Sequence, residues 1–113
     1  MIVSVSEKLK IVRNVLVNVG GDIVFHYRRP ASTKRFVVWQ EDAQETALHV
    51  NNASKEIVLT GTIDFFTPNE FDTLIDDITA AFSQYQRVKA QINSVQYEDQ
   101  TGLIHYEWRF WVV

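Results

Sequence analysis

Ile92 to Val113 reads INSVQYEDQTGLIHYEWRFWVV, the pattern of a long β-hairpin. One run ends at Glu98, a turn follows through Asp99, Gln100, Thr101 and Gly102, and a second run goes from Leu103 to Val113. Side chains alternate between the two faces of a strand. Ile104, Tyr106, Trp108, Phe110 and Val112 therefore share one face, and Leu103, His105, Glu107, Arg109, Trp111 and Val113 share the other. Pairing Glu98 with Leu103 sets Tyr97 against Ile104 and Val95 against Tyr106, which keeps the apolar sets together; a slip of one residue would separate them. Asp at the start of the turn and Gly at its end suit a type I turn or a turn with a bulge. The first face is apolar enough to floor a core. The second is mixed and needs a partner or solvent. A run that stops on Val113 with no polar tail is expected to be tied into a sheet.

Working back from the hairpin, the clearest local signal is Phe66-Thr67-Pro68-Asn69-Glu70-Phe71. It predicts a helix with Thr67 as N-cap, Pro68 at the first helical position and Glu70 closing a capping box. Phe66 and Phe71 occupy the positions of a hydrophobic staple. The helix is expected to run to about Tyr85, burying Phe71, Leu74, Ile75, Ile78, Phe82 and Tyr85. Asp72, Asp76 and Asp77 lie toward its start and Arg87 and Lys89 past its end, the signs the helix dipole favours. Glu56 to Phe65 reads as a strand, with Ile57, Leu59, Ile63 and Phe65 on one face and Gly61 between them. Phe36 to Glu41 is another strand, and Ala43 to Lys55 shows no clear period, with a turn at Asn51 to Ser54. Asp22 to Tyr27 is a third strand. Ser4 to Val19 is a helix with the stripe Val5, Leu9, Val12, Leu16 and Val19, a Ser4/Glu7 capping box and a Gly20-Gly21 stop. The order α-β-β-β-α-β-β predicts an α+β domain spanning residues 1–113: a largely antiparallel sheet of about five strands with two helices packed on one face.

Composition fits one soluble globular domain. At 113 residues the chain can bury roughly 65% of the surface its unfolded form exposes. Apolar content of 46% with 22% charged residues argues against disorder. No apolar run reaches membrane length and no signal-peptide pattern opens the chain, so no membrane partner is expected and the Asn52-Ala53-Ser54 sequon carries no weight. There are no cysteines, and the net charge of −3 argues against nucleic-acid binding over the whole surface.

Motifs for catalysis are missing from the pattern. His26, His49 and His105 lack metal-site spacing and read as surface or interface residues. Glu41-Asp42 and Glu98-Asp99 sit at strand ends, where adjacent acids act as solvated turn formers. No Gly-rich phosphate loop or nucleophile motif occurs, so no enzyme, cofactor or metal is expected. The one charge cluster is the loop Arg28 to Arg35, with Arg28, Arg29, Lys34 and Arg35 around Pro30. Trp39 and Trp111, read as exposed, are candidate contact anchors. Tyr106, Trp108 and Phe110 could stack bases, as in sheet-based RNA readers, which makes a small binding module for single-stranded nucleic acid the alternative reading; a core face under the helices is the expected use.

Three segments together resemble a known family: Val37-Val38-Trp39-Gln40-Glu41-Asp42; Thr60-Gly61-Thr62-Ile63-Asp64-Phe65-Phe66-Thr67 with Glu70-Phe71-Asp72; and Ser94 to Glu98 with Thr101 to Trp108. In order and spacing this is similar to the small tail-terminator (tail-completion, minor capsid) proteins of long-tailed bacteriophages, over roughly residues 35 to 113. The resemblance implies a virion structural protein at the head–tail junction, assembled in the host cytoplasm. Such proteins form a ring, usually a hexamer, on the head-proximal end of the tail tube. The ring stops polymerisation of tube protein, docks the head connector and lets DNA pass through its lumen without specific binding. A ring needs two different patches meeting head-to-tail. The expected interface residues are Arg28, Arg29, Lys34, Arg35, Trp39, Glu41, Asp42, Arg109 and Trp111, with the basic loop facing Glu41 and Asp42 of the neighbour.

Overall fold

The computed structural model describes residues 4–48 and 55–113. Its elements are α1 (Val5–Gly20), a 3-10 turn (Gly21–Ile23), β1 (Val24–His26), β2 (Phe36–Leu48), β3 (Lys55–Thr67), α2 (Leu74–Ser83), β4 (Val88–Glu98) and β5 (Leu103–Val112). The order and the two-layer arrangement are those the sequence predicts. The five strands form one sheet in the order β1-β2-β3-β5-β4, antiparallel except for the parallel β1–β2 pair. A parallel neighbour normally needs a long crossover. Here the loop 27–35 suffices because β1 is 3 residues long and the chain has little distance to retrace.

The hairpin register is as read: Glu98 pairs with Leu103, Tyr97 with Ile104 and Val95 with Tyr106. The apolar face of β5 lies under both helices, where Trp108, Phe110 and Val112 pack with Val12, Val15 and Leu16 of α1 and Leu74, Ile78 and Phe82 of α2. Trp108 is fully buried and its indole N–H donates to Thr79 Oγ1 at 3.2 Å. This placement puts Trp108 and Phe110 in the core, with Tyr106 partly buried against it, so these rings serve as core, the expected use. Gly61 is required where it stands: a Cβ there would lie 2.2 Å from the Gln40 carbonyl and 2.4 Å from the Phe110 ring.

Strands β2 and β4 are longer than their alternation suggests, because each carries a bulge. The register shifts between Glu41 and Ala43 in β2 and between Ile92 and Ser94 in β4. One extra residue reverses which parity faces the core, so the period is lost just where the strand continues. Glu41 and Asp42 therefore sit inside a strand, not at a turn. Beyond the Leu59–Val112 pair, β2 and β3 continue alone as a two-stranded ribbon, from Glu45 opposite Val58 to Leu48 opposite Lys55. The molecule measures 50 × 23 × 23 Å. The expected turn at Asn51 to Ser54, and His49, lie outside the described residues.

Two helix readings need correction. In α1 the Ser4/Glu7 capping box forms, and Gly21 closes the helix at φ 62°. Val5, however, is exposed, and the inward position a turn later is Lys8, whose Nζ donates to the Ile57 carbonyl at 2.8 Å. The second helix starts at Leu74 and ends at Ser83, so Pro68 to Thr73 is turn and Tyr85 is exposed. The Phe66–Phe71 staple does not form. Phe66 is the penultimate residue of β3 and points to the outer face, stacked on Phe36 and His105. Phe71 is 86% exposed at φ 63°. Thr67 accepts from the Asn69 N–H instead of capping a helix.

Candidate interaction surface

The sheet face away from the helices carries most of the residues the sequence singles out. A second, smaller apolar cluster of Phe36, Val38, Phe66 and Leu103, flanked by Phe25, lies at one end of it. The loop 27–35 crosses over this cluster. Tyr27 turns the chain at φ 70°, and Arg28 N–H donates to the His26 carbonyl. The Arg29 guanidinium then lies 4.4 Å above the Phe66 ring and 5.4 Å above Phe36, a cation–π arrangement that is favourable because the ring faces are electron-rich. Pro30, Thr33 and Lys34 face Gln100 and Leu103 of the hairpin across a shallow cleft.

Arg35 closes the loop. Its Nε and Nη2 donate to the two oxygens of Asp72 at 2.8 and 2.9 Å. Asp72 is buried and also accepts from Thr67 Oγ1 at 2.7 Å and from the Leu74 N–H at 3.1 Å. The Arg35 guanidinium, opposed by burial and helped by Thr67 and the Leu74 amide, holds the Asp72 carboxyl well below the usual carboxylate range. One side chain thus ties the basic loop, the end of β3 and the start of α2. Its role was not legible from composition, because its main partner is 37 residues away in sequence.

The acids of β2 are paired within the chain. Glu41 takes hydrogen bonds from Tyr27 Oη and from His26, whose Nε2 lies 2.9 Å from Oε1. Burial opposes ionisation of Glu41, but these bonds outweigh it and keep its pKa low. His26 shares a face with Trp39 and stacks on it at 3.8 Å between centroids. Trp39 itself is 2% exposed. This corrects its reading as an exposed anchor: position 39 lies on the same face as Val37, under the helices, and its ring meets Phe110 edge-on. Asp42, the bulge residue, instead reaches the outer face. Arg109 Nη1 and Nη2 donate to its two oxygens at 2.6 and 3.2 Å, and Thr60 Oγ1 donates at 2.9 Å. Arg109 is the main cause of Asp42's lowered pKa.

The fold therefore brings Asp42 and Arg109 together, and Arg35 and Arg29 are engaged within their own chain. Among the described residues Arg28 and Lys34 are exposed with no ion pair. Trp111 is half-buried on the outer face beside Arg109, Gln91 and Asn93. Sequence reasoning missed a further group: Asp64, His105 and Glu107 converge at the middle of this face. Strand adjacency alone unites them, and their separation in sequence hides it.

No protein-family model matches the sequence, and no curated protein matches it. Among solved structures, a chain of the "Virion of native gene transfer agent (GTA) particle" is similar in fold, with a TM-score of 0.54 and 13% identity over 96% of this chain and 96% of that one. At that identity the likeness is one of fold.

Proposed function

We propose that this chain is a structural subunit of a phage-like virion, working by contact with other proteins. The observation that carries this is the fold shared end to end with a chain of a gene transfer agent virion. The finer reading rests on the resemblance of the three sequence segments to tail-terminator proteins. On it, the chain forms a ring, a hexamer, at the head-proximal end of a tail tube. The ring stops tube growth and presents a docking face to the head connector, while DNA passes through its lumen without specific binding. It catalyses no reaction. We assign the basic loop, through Arg28, Lys34 and the packed Arg29 and Arg35, to one side of each subunit contact. Glu41, Asp42, Arg109 and Trp111 are assigned to the other. Glu41 and Asp42 already hold partners in their own chain, so a cation from the neighbour would extend existing pairs. Trp39 lies behind them as support.

The test is to add purified protein to polymerising tube protein of the same particle and measure tube length and label position by electron microscopy. Shorter tubes labelled at one end are expected. In Arg28→Glu/Lys34→Glu, end-labelling should fall, while Arg29 is left in place because it packs on Phe66. Label along the whole tube, or growth unaffected by the wild-type protein, refutes the reading.

A further inference from the structure

We propose that Asp64, His105 and Glu107 form a site for a divalent transition-metal ion, of the zinc, cobalt or nickel type, on the outer sheet face. One ligand atom of each lies within 4.8 Å of the others. Two adjacent strands, β3 and β5, supply them, so the backbone beneath is held by the sheet ladder. Asp64 and Glu107 are direct cross-strand partners. Like charges placed directly opposite destabilise a pair of strands, and a cation between these carboxylates would relieve that repulsion. His105 Nε2 lies 2.7 Å from Asp64 Oδ1, and a metal ion there would replace the proton these atoms share, moving them apart to about 3 Å around bonds of roughly 2.0–2.2 Å.

What separates this trio from a chance cluster is the layer of partners behind it. The other nitrogen of His105, Nδ1, has Glu98 Oε2 at 4.0 Å. That is longer than a hydrogen bond, so Glu98 faces the far nitrogen without holding it in the way carboxylates orient metal-bound imidazoles. Glu107 is held by the Asn93 amide, which donates to Oε1 at 2.7 Å, and Asn93 is the bulge residue of β4. The His105 and Asp64 side chains are each 18% exposed, open enough to exchange with solvent and enclosed enough to strengthen charge interactions. An imidazole with two carboxylates suits borderline metals over magnesium or calcium. Three protein ligands leave coordination positions for water or for a side chain of another subunit.

Calorimetric titration of the EDTA-treated full chain with zinc and with cobalt tests this. One ion per chain is expected, with a visible absorption band in the cobalt complex. His105→Gln and Glu107→Gln, each checked for folding by circular dichroism, should bind about tenfold more weakly or worse and lose the band. His26→Gln, which alters the other histidine–carboxylate pair, should bind as the wild type does. The proposal is overturned if neither metal binds at up to about 1 mM, if both β5 variants bind as well as wild type, or if His26→Gln removes the binding.

Discussion

Replacing Asp72 by Ala should lower stability by about 3 kcal/mol, because three structures end on that one carboxylate. The Leu74 N–H loses the acceptor that caps α2, worth about 1 kcal/mol. Thr67, which is fully buried, loses the acceptor for its hydroxyl, and an orphaned buried hydroxyl costs about 1–3 kcal/mol. Arg35, whose side chain is 41% exposed, can turn to water, so the ion pair itself adds about 0–1 kcal/mol. Asp72→Asn keeps an acceptor for the helix start and should lose about 1–2 kcal/mol. The pH dependence has a definite sign. Arg35 lowers the folded pKa of Asp72 below its unfolded value of about 3.9. Its stabilisation is then fully present above that value and is lost as pH falls through the folded pKa. The stability gap between wild type and Asp72→Asn should stay flat from about pH 7 to 5 and close below about pH 4. Urea unfolding at stepped pH measures both quantities. A loss under about 1 kcal/mol for Asp72→Ala, or a gap indifferent to pH, refutes the account of this junction.

Two further outcomes follow from single backbone positions. Gly61→Ala drives a methyl group into the Gln40 carbonyl and the Phe110 ring; overpacking against a backbone atom should cost about 3 kcal/mol and lower Tm by roughly 10 °C or more, and a thermal scan showing a negligible shift would contradict the close approach. Phe71→Asn should stabilise the isolated chain by about 0.5–1 kcal/mol, because Asn tolerates the left-handed region where an exposed Phe is strained. Chemical denaturation of that variant giving a loss instead would mean that the Phe71 ring packs on the folded chain.

The parts of the fold that were legible are those where one signal runs without interruption. Alternation through Leu103 to Val112 is unbroken, so face and register of the hairpin follow directly. The Ser4/Glu7 box is complete within one helical turn. Reading failed where a distant residue arbitrates. Thr67 to Glu70 satisfies the local rules for a helix start, yet Arg35 and Thr67 bind Asp72 and delay the helix to Leu74. It failed again at Asp42, because a bulge and a loop look alike in a periodicity count. Trp39 was misread for a third reason: Phe36, Val37, Val38 and Trp39 are apolar on both faces, and only the position of the helices decides which face is core. Of the candidate surface, the basic loop was legible as charge. Its partners were not, since ion pairs such as Arg109–Asp42 join residues 67 apart.

Those internal pairs bear on what can drive assembly. Arg35, Arg109, Asp42 and Glu41 are held by neighbours in their own chain, so at the proposed subunit contact they would supply register and exclude wrong partners more than they would supply affinity. Affinity needs apolar surface, and the fold leaves some uncovered. α2 is 10 residues long, about 15 Å, while the β4–β5 hairpin runs roughly 35 Å, so the helices shield only part of it. Past their reach, on the helix side of the edge strand β4, Ile92, Val95 and Tyr97 are exposed. An open edge flanked by apolar side chains invites pairing unless something blunts it. The Asn93 bulge interrupts this edge midway, which limits continuous strand addition to either side of the bulge. On the proposed function, that combination suits a docking edge that resists uncontrolled stacking before a partner arrives.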